Sequence, residues 1–337
     1  MTTDTPRLPG GSGSTGATAD PAAPGQSAAP ARSVTVRVPA KVNVQLAVGG
    51  SRPDGFHDLA NVFLAVSLYD HVTAAPDDVL RITVEGPDAA QVPLDRGNLA
   101  ARAAIALAAR HGIEPRVHLH IAKDIPVAGG MAGGSADCAG ALLACDALWG
   151  TGASRGELLE ICAELGSDVP FSLVGGAALG RGRGDRLEPL GTGGVFHWVF
   201  AVADGGLSTP AVYRECDRLR SASGAGHTVA DVPDPQPAPA LLAALAAGDA
   251  VALAGALAND LQPAAVSLRP ALAATLRAGT AAGALAALVS GSGPTCAFLA
   301  ADAQAAGAIA RALTASGTCR TARVASGPAP GATVVPR

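Results

Sequence analysis

Residues 126–137 read PVAGGMAGGSAD, with four glycines and a serine in the seven positions from Gly129 to Ser135. Glycine lets a backbone approach a ligand closely and adopt positive φ. A run with helical spacing follows (Cys138, Ala141, Leu142, Cys145, Leu148), and the strand-like alternation of 117–121 precedes it. Strand, glycine-rich turn and helix start together make an anion site. The unpaired N–H groups of the first helical turn point at the ligand, and the helix dipole favours negative charge there. The chemistry this suits is the gripping of a nucleoside triphosphate. Two common forms of such a grip are excluded. No Lys follows a glycine pair as G-x-x-x-x-G-K-[ST] demands. The literal G-x-G-x-x-G at 11–16 (GSGSTG) lies in low-complexity sequence with no strand before it. Ser135 also has a plainer reading, as the N-cap of the helix.

Three further segments carry more functional residue types than a scaffold needs. Pro39-Ala40-Lys41-Val42-Asn43 sets a lysine between two apolar strands, and Asp54-Gly55-Phe56-His57 sets an aromatic and a histidine in a turn. Gly166-Ser167-Asp168-Val169-Pro170-Phe171 holds one carboxylate in an otherwise apolar stretch. Asp168 is either a turn cap or a catalytic group, and a nearby phosphate loop and lysine favour the second. His57 could simply pack in its turn, and Tyr213 could belong to the core. His118 and His120 alternate on a strand and read as structural, Asn259-Asp260 as a helix terminus, and Asp185 as a solvated hairpin tip.

The elements that must position these groups follow from periodicity. Alternation predicts strands over 34–38 and 42–48, interrupted by Pro39-Ala40-Lys41, then over 62–68, 80–84 and 117–121. Helices are expected over 98–110, opened by Asn98 and closed by Gly112, and near 135–148 and 154–164. A second unit starts with a strand at 195–202 and a polar, proline-rich excursion at 221–238. Helices near 239–256 and 271–281, strands at 284–289, 295–300 and 319–325, and a helix at 302–315 complete it. The 240–257 window is too interrupted, by Gly248 and Asp249, for a membrane span and reads as two short helices.

Composition sets the class. Of 337 residues, 49% are hydrophobic and 15% charged, enough for a sizeable core, and aromatics at 3% leave that core to small residues and Leu/Val. A net charge of −4 without a basic run argues against a nucleic-acid partner. None of the six cysteines forms C-x-x-C, which suits buried thiols in a reducing, cytoplasmic setting. Residues 1–32 read as a disordered tail without the apolar segment of a secretory signal, and 327–337 as a frayed end.

Taken together, PAKVN at 39–43, the glycine-serine loop at 126–137 and SGSGPTCAF at 290–298 resemble, in order, the three motifs of the GHMP small-molecule kinases. The resemblance covers about residues 33–325. Within the family, PAKVNVQLAVGGSRPDGFHDL at 39–59 and GSDVPF at 166–171 are similar to the branch that phosphorylates the 2-hydroxyl of a cytidyl diphosphate sugar alcohol for isoprenoid synthesis. It implies an α+β, two-domain fold: an N-terminal domain over 33–190 like the second domain of ribosomal protein S5, and a ferredoxin-like C-terminal domain over 191–326, with the active site in the cleft between them. ATP and Mg²⁺ are the implied cofactors, and a soluble monomer or homodimer acting on a small molecule, away from nucleic acid and membrane, is the implied state. Asp168 would be the general base and Lys41 its neighbour, stabilising charge on the phosphoryl group in flight. Pro126, Val127, Ala128, Gly129, Gly130, Met131, Ala132, Gly133, Gly134, Ser135 and Ala136 would wrap the ATP phosphates, with Ser135 a Mg²⁺ ligand. Asn43, His57 and Thr209 would bind substrate, Phe56 and Tyr213 would sandwich the cytosine, and Gly291, Ser292 and Gly293 would close over the phosphates.

Ala128, Met131 and Ala132 stand where the family often has Gly or Leu, and Phe56 where Tyr is common. Backbone N–H groups make the phosphate contacts, so binding should survive these changes. Homoserine and mevalonate kinases are the competing family members, but their substrates carry no base for Phe56 and Tyr213 to stack on. A non-catalytic ATP sensor would be expected to lack Lys41 or Asp168, and both are present.

Overall fold

The computed structural model describes residues 33–127 and 129–336. The expected tail at 1–32, the GSGSTG copy within it, and Ala128 lie outside the described residues.

The first lobe grows from a long antiparallel hairpin, β1 (Val34–Ser51) with β2 (His57–Pro76). The sequence reading breaks the first strand at Pro39, whereas the structure carries β1 through it. The ladder instead shifts register between Pro39 and Ala40 and again between Asn43 and Gln45. Proline has no N–H for a ladder, and bulges of this kind bend a strand and re-aim its side chains. Lys41 sits between the two shifts. β3 (Arg81–Glu85), α1 (Leu99–His111), β4 (Val117–Ala122), α2 (Gly133–Trp149), α3 (Arg155–Leu165), α4 (Val169–Val174), β5 (Ala177–Arg181) and β6 (Arg186–Leu190) follow. The Asn98 side chain accepts the Ala100 N–H to open α1, and Gly112 closes it in the left-handed conformation.

The second lobe holds β7 (Phe196–Val202), α5 (Thr209–Ala222), α6 (Pro239–Ala247), α7 (Ala250–Ala254), β8 (Ala258–Asn259), α8 (Gln262–Leu268), α9 (Ala271–Ala281), β9 (Ala286–Val289), β10 (Cys296–Ala300), α10 (Ala303–Ser316) and β11 (Thr321–Gly327). A last short strand, β12 (Thr333–Val334), returns to the first lobe. The 239–256 window does divide into two short helices. Asn259 and Asp260, expected at a helix end, instead form and follow β8, which runs parallel to β1 at Gln45 and Leu46.

The fold is α+β with two sheets. The first has the order β12-β1-β2-β4-β3, with β5 also on β2, β6 on β5 and β8 on β1. The second is antiparallel with the order β11-β7-β10-β9. Chain order β7, helices, β9, β10, α10, β11 makes it the split β-α-β-β-α-β arrangement. The two faces of β7 serve different cores. Phe196, Trp198 and Phe200 join the core of the first lobe, while Val199 and Ala201 pack with Phe298, Ile309 and Leu313 in the second. This is the period-2 alternation of a strand covered on both sides.

The segment after Gly327, read from sequence as frayed, is tied down. Ala329 N–H donates to Ala65 O, β12 pairs with β1 at Val36 and Arg37, and Val335 N–H donates to Thr35 O. The open edge of β1 supplies the partners that a single-sequence reading had no reason to expect.

Candidate active site

Helix α2 presents its N-terminus at the glycine-rich loop. The sequence offers Ser135 as its N-cap, but the cap lies three residues earlier. The cap position is Ala132, in the left-handed region at φ 61°, with no side-chain cap bond. Ser135 is therefore in the first turn, partly exposed, with its hydroxyl not committed to capping. Further along the helix, a Cβ on Gly140 would stand 2.8 Å from Val38 and Val72, so a glycine there lets α2 lie directly on β1 and β2.

A buried ion cluster fixes the loop from below. Lys123 Nζ donates to Asp70 Oδ2 at 2.6 Å and to Asp137 Oδ2 at 2.7 Å. Asp70 Oδ1 accepts the N–H groups of Asp124 and Ile125. Burial works against the Lys123 ammonium, but Asp137 and Asp70 outweigh it and raise its pKa. Burial, aided by the charge of Asp70, pushes the Asp137 carboxyl above the ordinary range despite Lys123. One ammonium between two carboxylates thus joins β2, the chain entering the loop and α2. From the second lobe, the Arg320 guanidinium makes two bonds to Asp88, of 2.6 and 2.9 Å, and Asp88 Oδ2 accepts the Val127 N–H. The Arg320 bonds hold the Asp88 carboxyl below its ordinary pKa of 3.8.

The loop at 290–293 closes on the glycine-rich loop. Ser290 Oγ donates to Gly130 O, and a Cβ on Gly130 would fall 2.1 Å from Ser290 O. A Cβ on Gly291 would lie 3.1 Å from Asn43 Oδ1 and 3.3 Å from both Gly130 O and Lys41 Nζ. Gly291 marks the point where both lobes and the lysine converge. Ser292 Oγ shares a 2.9 Å hydrogen bond with Thr209 Oγ1, at the start of α5. Asn259, which the sequence reading passed over as a helix terminus, holds this loop. Its Nδ2 donates to Val289 O and Gly291 O, and its Oδ1 accepts the Leu261 N–H.

The bulges in β1 turn Lys41 into this space. Its backbone N–H reaches Met131 O, and its Nζ donates to Asn43 Oδ1 at 2.7 Å and lies 3.5 Å from Asp168 Oδ2. Asn43 Nδ2 in turn donates to Asn61 Oδ1 at 2.7 Å, so both polar ends of Asn43 are engaged within the protein. Asn61 is a further residue missed in sequence; its one signal was an amide next to the apolar run of β2. Asp168 occupies the cap position of α4 yet makes no side-chain cap bond, which removes the plain turn-cap reading. The Phe171 ring stacks on Phe63 at 4.8 Å, anchoring α4, and Lys41 Nζ stands 5.8 Å above the Phe63 ring. Lysine and carboxylate thus share one rigid support.

Tyr213 on α5 is near enough to Asp168 for that charge, after burial, to push its phenol pKa up. The ring lying on Tyr213 is that of His57, 5.0 Å away and tilted by 34°. His57 Nε2 is 2.9 and 3.2 Å from the two oxygens of Asp217. Phe56 is half exposed, with the Arg183 guanidinium 5.5 Å from its ring. His118 and His120 both bond Thr83 Oγ1, in keeping with a structural role.

A basic and an acidic group thus lie 3.5 Å apart, the lysine bonded through its backbone to Met131 of the glycine-rich loop and close to Gly291 of the second loop. Residues 98–176 match the family model described as GHMP kinases N terminal domain, and residues 241–319 match GHMP kinases C terminal. The chain belongs to the GHMP kinase family. A relative named 4-diphosphocytidyl-2-C-methyl-D-erythritol kinase from Streptomyces avermitilis is 78% identical over 303 residues, spanning 90% of this chain and 100% of the relative. One of the same name from Thermobifida fusca is 60% identical over 311 residues, spanning 90% and 98%. A crystal structure of 4-(cytidine 5'-diphospho)-2C-methyl-D-erythritol kinase superposes with a TM-score of 0.69 at 33% identity, covering 86% of this chain and 98% of that one. A homoserine kinase from Cytophaga hutchinsonii, at 21% identity and TM-score 0.67, shares the fold.

Proposed function

We propose that this chain transfers the γ-phosphoryl group of ATP to the 2-hydroxyl of 4-diphosphocytidyl-2-C-methyl-D-erythritol, the substrate in the names of its relatives, in the non-mevalonate route to isoprenoid precursors. The observation that carries the reading is the Lys41–Asp168 pair at 3.5 Å, placed where Gly291 meets the glycine-rich loop.

Phosphoryl transfer depends on positioning and on charge stabilisation more than on covalent catalysis. The loop of 126–136 grips the triphosphate through backbone N–H groups at the start of α2, and Gly291, Ser292 and Gly293 close over it. Asp168 accepts the proton of the 2-hydroxyl as the oxygen attacks. Lys41, steered by Asn43, offers its positive charge to the phosphoryl oxygens. Asn43 lines the substrate side chiefly by aiming Lys41. Thr209 borders the substrate from α5, and Phe56, His57 and Tyr213 receive the cytosine.

Mg²⁺ fits this donor set. Among the described residues no group of three His, Cys, Asp or Glu side chains could cage a metal. Mg²⁺ is commonly held by substrate phosphates with only one or two protein oxygens, and the uncommitted Ser135 hydroxyl would be one. When bound, the ion would neutralise phosphate charge.

Among the described residues no helix is long and apolar enough to cross a membrane, and the cysteines are free thiols. Both suit a cytoplasmic enzyme, monomeric or dimeric, working on a small molecule. The test is ADP release with ATP, Mg²⁺ and the cytidyl substrate, run beside homoserine and mevalonate. Turnover with the cytidyl substrate alone is the expected result; turnover with either other alcohol in its place would overturn the assignment.

A further inference from the structure

His57 and Asp217 form a contact that phosphoryl transfer does not require. Asp217 lies four residues after Tyr213 on α5, so the two share one helix face. That face meets His57 in two ways: Tyr213 packs on the imidazole ring, and Asp217 takes Nε2 at 2.9 and 3.2 Å. The histidine side chain is only 6% exposed, so the ring is held both in plane and in rotation. An ionised carboxylate can only accept a hydrogen bond, so Nε2 carries the hydrogen. Which nitrogen of a histidine is protonated is set by the bond made by the other. In the neutral imidazole the remaining nitrogen, Nδ1, is then an acceptor, and among the described residues it has no hydrogen-bond partner.

We propose that Asp217 is a positioning residue for base selection: it locks the His57 tautomer so that Nδ1 accepts a hydrogen bond from the base of the substrate. This rests on the proposed function, in which His57 and Tyr213 receive that base. Cytosine offers an amino donor at its 4-position, and uracil an acceptor oxygen at the equivalent place. A fixed acceptor attracts the first and repels the second. Selectivity is high where a site is built to pair with a particular polar group, because the mismatched ligand leaves buried groups unpaired. Asp217 itself need not touch the substrate.

The test compares kcat/KM for the cytidyl substrate with that for its uridyl counterpart in the wild type, in Asp217→Asn and in Asp217→Leu. Asn can donate as well as accept and no longer dictates the tautomer, while Leu keeps the size without the polarity. Both variants are expected to narrow the cytidyl-to-uridyl ratio by about tenfold or more, the worth of one hydrogen bond. The change should fall on KM for the cytidyl substrate, with kcat and the KM for ATP close to wild type. Long-range ¹H–¹⁵N spectra, with His57 assigned through His57→Gln, should show the wild-type hydrogen on Nε2 alone. An unchanged ratio in both variants, with wild-type turnover of the cytidyl substrate, overturns this proposal alone, as does a hydrogen found on Nδ1. A wild-type chain that turns over neither nucleotide substrate overturns the proposed function and this inference with it.

Discussion

Lys41 Nζ is bonded to Asn43 Oδ1 at 2.7 Å while lying 3.5 Å from Asp168 Oδ2. The amide, not the carboxylate, therefore sets the position of the ammonium. Asn43 is held in turn by Asn61, so a chain of three side chains from the β1–β2 hairpin aims the charge into the cleft. Lys41→Met removes the charge and keeps the length. Its kcat is expected to fall by about 10²–10³, the range for loss of one preorganised electrostatic group, with ATP binding by calorimetry much less affected. A kcat within a few-fold of wild type would remove Lys41 from the chemistry.

Two small substitutions in the glycine-rich loop should act in opposite senses. Gly130 has φ 74°, and a Cβ there would meet Ser290 O at 2.1 Å. Gly130→Ala must therefore separate the two loops, raising KM for ATP and lowering Tm. Ala132 already bears a left-handed conformation at φ 61°, which costs a non-glycine residue about 1–2 kcal/mol. Ala132→Gly relieves that strain but gains chain entropy in the unfolded state, about 0.5–1 kcal/mol. It should leave Tm unchanged or slightly higher with activity intact; thermal melts beside ATP kinetics separate the two cases.

Asn259→Ala frees the loop at 290–293 from β8, leaving Val289 O and Gly291 O without their side-chain donor. Unpaired buried groups of this kind cost about 1–3 kcal/mol. Denaturant titration should show a loss of this order, together with a higher KM for ATP. Asn259→Asp, which cannot donate, should behave like Ala; full retention of stability in both would show that the loop is held by other means.

The Asp88–Arg320 bridge makes a pH-dependent contribution. Because Arg320 depresses the Asp88 pKa in the folded state below 3.8, the associated stability is complete above 3.8 and is lost as pH falls through the lower folded value. Asp88→Asn should therefore be less stable than wild type near about pH 7, with the difference shrinking toward about pH 3. Urea unfolding at both values checks the sign, and a difference that grows on acidification would contradict it.

The parts of the site visible in sequence were those where a residue type conflicts with its surroundings. Glycine pairs at a strand-to-helix junction, a lysine between apolar strands and a carboxylate among Val169, Pro170 and Phe171 all stood out. What stayed hidden depends on contacts between distant segments. Asn259 looks like any residue near a helix end until β8 aligns it with β1 and its amide reaches the loop at 290–293. Asp217 lies 160 positions from His57. Lys123 and Asp70 carry no signal of their own in the sequence, and their role comes from burial together with Asp137 of α2. The alternative of Ser135 as a cap is open in the sequence because nothing there marks Ala132, a non-glycine residue, for the left-handed conformation. The end of the chain looked frayed because the edge of β1 that receives β12 is some 300 positions earlier.

We propose that the Asp168 carboxylate carries the chemistry on a substrate hydroxyl, apart from nucleotide binding. The most direct measurement is ADP release by Asp168→Asn under saturating ATP, Mg²⁺ and 4-diphosphocytidyl-2-C-methyl-D-erythritol, with ATP affinity measured on the same protein. The expected result is ATP affinity within a few-fold of wild type and a rate lower by about 10²–10⁴, the range for loss of a positioned general base. Turnover near the wild-type rate would contradict it and leave Asp168 as a residue that only braces Lys41.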